Sequence, residues 1–149
     1  MSNVLNGNEQ PQDGNDNAVF LEGSLVPQRI LYSIAAGGAN VCEVTLTAQD
    51  GHGKAMAVPV NLKLWLSDAA TGVGLTATSA SGTVQVKTAS GADFGILTAK
   101  KALEVQTLAD GTYILEITDS AKTGFYICAE LPLAGLAVVS RVLVSGDYG

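Results

Sequence analysis

The sequence predicts an all-β chain folded as an antiparallel β-sandwich, and three observations predict it. The stretch Val60–Ser67 alternates strictly, with Val60, Leu62, Leu64 and Leu66 on one face and Asn61, Lys63, Trp65 and Ser67 on the other. That is the period-two signature of a strand buried on one side. Apolar runs recur at short intervals between Gly-, Asp- and Ser-rich turn signals, the spacing of a sandwich or barrel. Composition agrees: 47% of residues are hydrophobic, only 5% are aromatic and 17 are glycine, which suits short strands around an aliphatic core better than packed helices. At 149 residues the chain makes one domain with a sizeable core and requires no disulfide.

In order, residues 1–28 read as an extended N-terminal arm and 29–149 as the sandwich. Residues 1–18 are rich in Asn, Gln, Gly and Asp and hold little to bury, so burial does not offset their ordering entropy. Val19, Phe20, Leu21, Leu25 and Val26 bring apolar groups back in pieces too short for an element and suited to docking on another surface. Strands are expected at Ile30–Ala35, at Val41–Ala48 with Cys42, Val44 and Leu46 facing the core, and at Val60–Ser67. Gln49–Gly53 is a loop by virtue of its glycines. Asp68–Ser81 is a long, small-residue excursion at a sheet edge, with at most a short strand at Val73–Ala77.

Thr83–Thr88 is a further strand and Ala89–Asp93 a turn. Ile96–Ala99 and Leu103–Thr107 then form one strand broken around Lys100 and Lys101. Asp110-Gly111 carries a hairpin signal leading into Thr112–Thr118, whose Tyr113, Leu115 and Ile117 share a face. Phe125–Leu131 has ambiguous parity, because Phe125, Ile127 and Ala129 compete with Tyr126 and Cys128 for the core. Ala137–Ser145 is apolar on both parities apart from Arg141, as expected of a strand covered on both sides.

Trp65 conflicts with its own strand. An indole buries roughly 150–250 Å² when packed, yet parity places it among polar residues. Two covers are available, the Asp68–Ser81 excursion or a neighbouring chain. The excursion follows directly and is rich in small residues that lie flat on a ring, so it is the expected cover. Aromatic anchors are also enriched at binding hot spots, which makes Trp65 a candidate partner contact.

The net charge is −6, and the arm carries most of it: Glu9, Asp13, Asp16 and Glu22 stand there with no Lys or Arg. Nucleic acid is an unfavoured partner, since phosphate binding needs a clustered basic surface and Lys100-Lys101 is the one basic pair. No apolar run is long enough to span a bilayer, and the N-terminus lacks the pattern of a secretory signal, so synthesis in the cytoplasm and no membrane association are expected. In that compartment Cys42 and Cys128 are expected to be reduced core residues. Catalytic chemistry has little to stand on. The single His52 lies between glycines in a loop, the carboxylates are scattered at turns, and no calcium loop, phosphate loop or nucleophile elbow occurs. Neither a catalytic, a metal nor a cofactor site is expected.

Cys42 on an early strand, Trp65 on the next, and Tyr126 two residues before Cys128 copy the order of the disulfide, tryptophan and tyrosine corner of immunoglobulin domains. The likeness implies an immunoglobulin-like sandwich. The run Val41-Cys42-Glu43-Val44-Thr45, the turn Ala48-Gln49-Asp50-Gly51, the strand Leu64-Trp65-Leu66-Ser67-Asp68, then Thr98-Ala99-Lys100-Lys101 and Ala121-Lys122-Thr123-Gly124-Phe125-Tyr126, form a more specific pattern. Together they resemble the small immunoglobulin-like proteins encoded among tailed-bacteriophage structural genes, a family of capsid decoration and head-fibre proteins. The resemblance covers residues 31–144. It implies a virion setting on the capsid surface, the major capsid protein as partner, a homo-oligomeric array on its lattice, and no catalytic residues. The expected function is non-enzymatic decoration or cementing of the capsid through the arm and one sheet face. The alternative is a module of a head or tail fibre that recognises host-surface glycans.

Overall fold

The structure, a computed structural model, describes residues 26–132 and 135–149. Val19, Phe20, Leu21 and Leu25 lie outside those residues. Among the described residues the chain forms nine strands: β1 (Arg29–Ala36), β2 (Val41–Gln49), β3 (Asn61–Ser67), β4 (Val84–Val86), β5 (Ala92–Thr98), β6 (Ala102–Gln106), β7 (Thr112–Thr118), β8 (Tyr126–Glu130) and β9 (Ala137–Val142). A 3-10 turn, Ser145–Asp147, replaces the end of the last expected strand. All pairings are antiparallel, in two sheets: β1-β2-β7-β4, and β9-β8-β3-β6-β5.

The alternating strands bury the faces their patterns predict. Cys42, Val44 and Leu46 of β2, Leu62, Leu64 and Leu66 of β3, and Tyr113, Leu115 and Ile117 of β7 are all buried between the sheets. On β8 the ambiguity is resolved by register. Ala129 pairs with Leu64 and Ile127 with Leu66, so Phe125, Ile127 and Ala129 face the core, and Cys128 shares the outer face with its neighbour Trp65. Cys42 therefore lies between the sheets and Cys128 outside them. Both thiols are free, and the immunoglobulin disulfide has no counterpart because the second cysteine points the wrong way.

The sheet order is immunoglobulin-like at its centre. The row β1-β2-β7-β4 corresponds to A-B-E-D, and β9-β8-β3 to G-F-C, with β6 and β5 extending the second sheet on the C side. The chain reaches them in a different sequence, since β4 precedes the β5–β6 pair.

Two sequence expectations are corrected. Ile96–Ala99 and Leu103–Thr107 are not one broken strand. They belong to β5 and β6, two arms of a hairpin whose turn is closed by Lys101 N–H donating to Thr98 O at 2.9 Å, with Lys100 at φ 60°. The Asp110-Gly111 turn forms as its chemistry demands: Gly111 has φ 80°, and Asp110 Oδ1 accepts from Thr112 N–H at 3.1 Å and Thr112 Oγ1–H at 2.6 Å. It is nevertheless no hairpin. β6 bonds to β3 and β5 whereas β7 bonds to β2 and β4, so the turn arches from one sheet to the other. No strand forms at Val73–Ala77.

The two open sides of the sandwich differ. On one, Tyr32 Oη–H of β1 donates to Val138 O of β9 at 2.6 Å, tying the sheets together. On the other, the five-stranded sheet overhangs the four-stranded one, so β5 projects past β4 with little opposite it. There Tyr113 Oη–H donates to Asp93 Oδ1 at 2.6 Å. Asp93 Oδ2 also accepts from Val86 N–H at 3.0 Å, so one carboxylate joins β5, β4 and β7.

Candidate functional site

The outer face around Trp65 is closed by the chain's own excursion. Residues 68–77 leave the end of β3 and double back as a strap. Trp65 Nε1–H donates to Gly72 O at 2.8 Å, which satisfies the one polar atom of the indole. Gly72 has φ +77°, and a Cβ there would meet Val139 Cγ2 at 2.8 Å and Cys128 Sγ at 3.2 Å. Only glycine therefore lets the strap lie against the sheet.

The rest of the strap is pinned by hydrogen bonds that its Ser, Thr and Asp residues supply. Ser67 Oγ–H donates to Val73 O at 3.2 Å and Thr76 N–H to Leu66 O at 2.8 Å. Asp68 accepts from Thr76 Oγ1–H at 2.6 Å and Ala77 N–H at 2.9 Å. Those bonds, Ala77's first and Thr76's next, hold the Asp68 carboxyl below its ordinary pKa. Lys101 Nζ caps the strap by donating to Ala77 O at 3.2 Å.

Covering Trp65 transfers the apolar surface outward. The indole is half-buried, with Lys63 Nζ 5.9 Å from its ring centroid, while Val73 and Leu75 on the strap are 76% and 45% exposed. A shallow cavity of about 220 Å³ remains between Lys63, Trp65, Gly72, Gly74 and Leu75.

A second surface lies on the overhang. Val84, Phe94, Ile96 and Leu103 line a groove of about 580 Å³ between β4 and β5, with Lys100 at one end and Asp93 at the other. Phe94 and Ile96 are 60% and 69% exposed. Asp93 pairs with Val105 and Gly95 with Glu104, so Phe94 is the extra residue of a bulge, a device common on edge strands. Ile96 pairs with buried Leu103 and turns toward the core side, where no strand of the shorter sheet meets it. Periodicity could not flag this groove, because the residues lining it belong to no one pattern.

Several titratable groups outside these surfaces serve the fold. Burial pushes the Cys42 thiol up to about 12 and the Cys128 thiol up to about 11, which removes thiolate character from both. Burial likewise raises the phenols of Tyr32 and Tyr113. His52 is exposed, and its backbone N–H donates to Asp50 Oδ1 at 2.8 Å, closing its loop. Asp119 is buried and accepts from Ser81, Ala121 and Thr123 N–H groups. Burial alone opposes its ionisation, but those bonds outweigh it and bring its pKa to about 2. Among the described residues no three His, Cys, Asp or Glu side chains converge as metal ligands, and no helix is long and apolar enough to cross a membrane.

Of the sequence-predicted contacts, Trp65 lies under its strap, and Val26 is half-buried where the chain enters the domain beside buried Pro27. These two are on different elements and do not form one patch. Comparison with protein-family models, with curated proteins and with solved structures finds no match to this chain.

Proposed function

We propose that the chain is a non-enzymatic structural protein of a bacteriophage virion, decorating or cementing the outer surface of the capsid through its N-terminal arm and one sheet face. The observation that carries the reading is the strap. A half-buried, hydrogen-bonded indole beneath it and two exposed apolar side chains, Val73 and Leu75, above it make a pinned, raised contact on the outer face of the five-stranded sheet. Rigid apolar contacts lower the ordering cost of association. Repetition on a lattice then compensates for modest affinity per copy. The acidic arm adds further contact surface, and the setting is taken from the resemblance of the sequence motifs to those of phage decoration proteins.

The test is a mass-spectrometric copy count on purified particles. Hundreds of copies per particle are expected of a decoration protein. A handful of copies located at the tail would refute decoration in favour of a host-recognition module, and absence from particles would overturn the virion setting altogether.

A further inference from the structure

The overhang groove is an unfinished piece of the core. The five-stranded sheet presents the core-side surface of β5, but the four-stranded sheet ends one strand short of it at β4. The backbone of β4 points the same way. Thr118 N–H donates to Thr83 O and Lys87 N–H to Ile114 O, both at 2.8 Å, so by antiparallel alternation the N–H and C=O of Val84 face the groove rather than β7. A short extended apolar segment laid there would cover Phe94 and Ile96 and extend the smaller sheet past its edge, the geometry of strand addition.

The chain itself contains such a segment. Val19-Phe20-Leu21 is the one run of three large apolar residues in the first 25, and Asp16 and Glu22 flank it. The groove offers a matching cation. Lys100 Nζ donates to Ala80 O and Ser81 O, each at 3.2 Å, and an ammonium has three donors, which leaves one directed away from those carbonyls. Its volume of about 580 Å³ falls in the range of roughly 300–1,000 Å³ typical of binding clefts.

The segment cannot come comfortably from the same molecule. The chain enters the domain at half-buried Val26 and buried Pro27, at the β1 edge, where Gln28 N–H donates to Gln49 O at 2.8 Å. The groove lies beyond β4 at the opposite edge, four strand spacings or about 19 Å away across the strands, and also further along them, since Arg29 pairs with Gln49 at one end of the sheet and Val84 with Ile117 toward the other. The six residues back to Phe20 extend at most about 20–22 Å. With the offset along the strands added to the separation across them, that length falls short of the groove. In a second copy no such limit applies.

We propose that residues 19–21 of one copy insert into the β4–β5 groove of a neighbouring copy, with Glu22 or Asp16 meeting Lys100, so that the arm links copies to one another. The link deepens the cementing reading, on which it rests for where the copies meet, but it is a property of the protein in capsid-free solution as well.

Full-length chains carrying Phe20→Cys and Ile96→Cys, mixed as separate proteins at high concentration and oxidised, test it. Ile96 is 69% exposed, so its substitution leaves the fold intact, and the buried native thiols do not compete. Disulfide-linked heterodimer is expected in several-fold excess over a control mixture of Phe20→Cys with Val144→Cys, and adding Phe94→Asp to the Ile96→Cys chain should abolish the excess. Equal yields from the two mixtures would overturn the proposal. So would a single chain bearing both Phe20→Cys and Ile96→Cys that closes on itself as a monomer at low concentration, since its own arm would then be the occupant. Particle copy number is a separate measurement, so failure here and failure of the decoration reading are distinguishable.

Discussion

Breaking the Asp93–Tyr113 bond should loosen the overhanging side of the sandwich without touching the rest. Tyr113 is fully buried, and its hydroxyl has Asp93 Oδ1 as acceptor at 2.6 Å. Asp93→Ala leaves that hydroxyl without its partner, at a cost of about 1–3 kcal/mol, and frees Val86 N–H at a strand edge, which water can rehydrate for about 1 kcal/mol or less. The expected loss is therefore about 1–4 kcal/mol, a sizeable share of the roughly 5–15 kcal/mol available to a domain. Tyr113→Phe removes the same bond while keeping the ring in the core. Urea unfolding of both single variants and the double variant isolates the pair, and because the bond is to a charged group its coupling should be about 1.5–3 kcal/mol. A coupling below about 0.5 kcal/mol would refute the role of this carboxylate as the tie between the sheets.

Leu64→Ala and Leu66→Ala should each cost about 2–5 kcal/mol as large-to-small changes in a packed core; losses under about 1 kcal/mol at both would mean the faces of β3 are reversed. Trp65 emission in the isolated protein should be blue-shifted, and Gly72→Ala, strained at φ +77° and meeting Val139, should shift it red by lifting the strap. An already red emission in the unsubstituted protein would contradict the strap. Cys42 and Cys128 should resist thiol reagents in the folded protein and give two free thiols after denaturation without reductant; recovery of none would indicate a disulfide. Asp119 ionises in the folded state with a pKa of about 2 against an ordinary 3.8, so its contribution, about 2 kcal/mol by linkage, is complete above pH 3.8 and is lost as pH falls through about 2. Asp119→Asn should remove that part of the acid dependence, which unfolding midpoints measured from pH 5 to pH 2 would reveal.

Local pattern determined much of this molecule. Alternation assigned the buried faces of β2, β3 and β7 and placed Trp65 on an outer face, because side-chain direction along a strand depends only on the strand itself. A conflict internal to the sequence, an indole among polar residues followed by a small-residue excursion, was enough to anticipate the cover that Gly72 provides. Turn chemistry was also legible at Asp110-Gly111, but it specifies the dihedrals of a few residues and not which sheets they join. That choice, and with it the separation of β6 from β7, belongs to pairing partners distant in the chain. The side taken by Cys128 was open for the same reason. On a strand apolar at both parities, the register with Leu64 and Leu66 settles what hydrophobicity cannot. The groove between β4 and β5 was the least visible feature of all. It arises because one sheet has one strand more than the other, a count that no segment of the sequence contains and that exists only once every strand has found its neighbours.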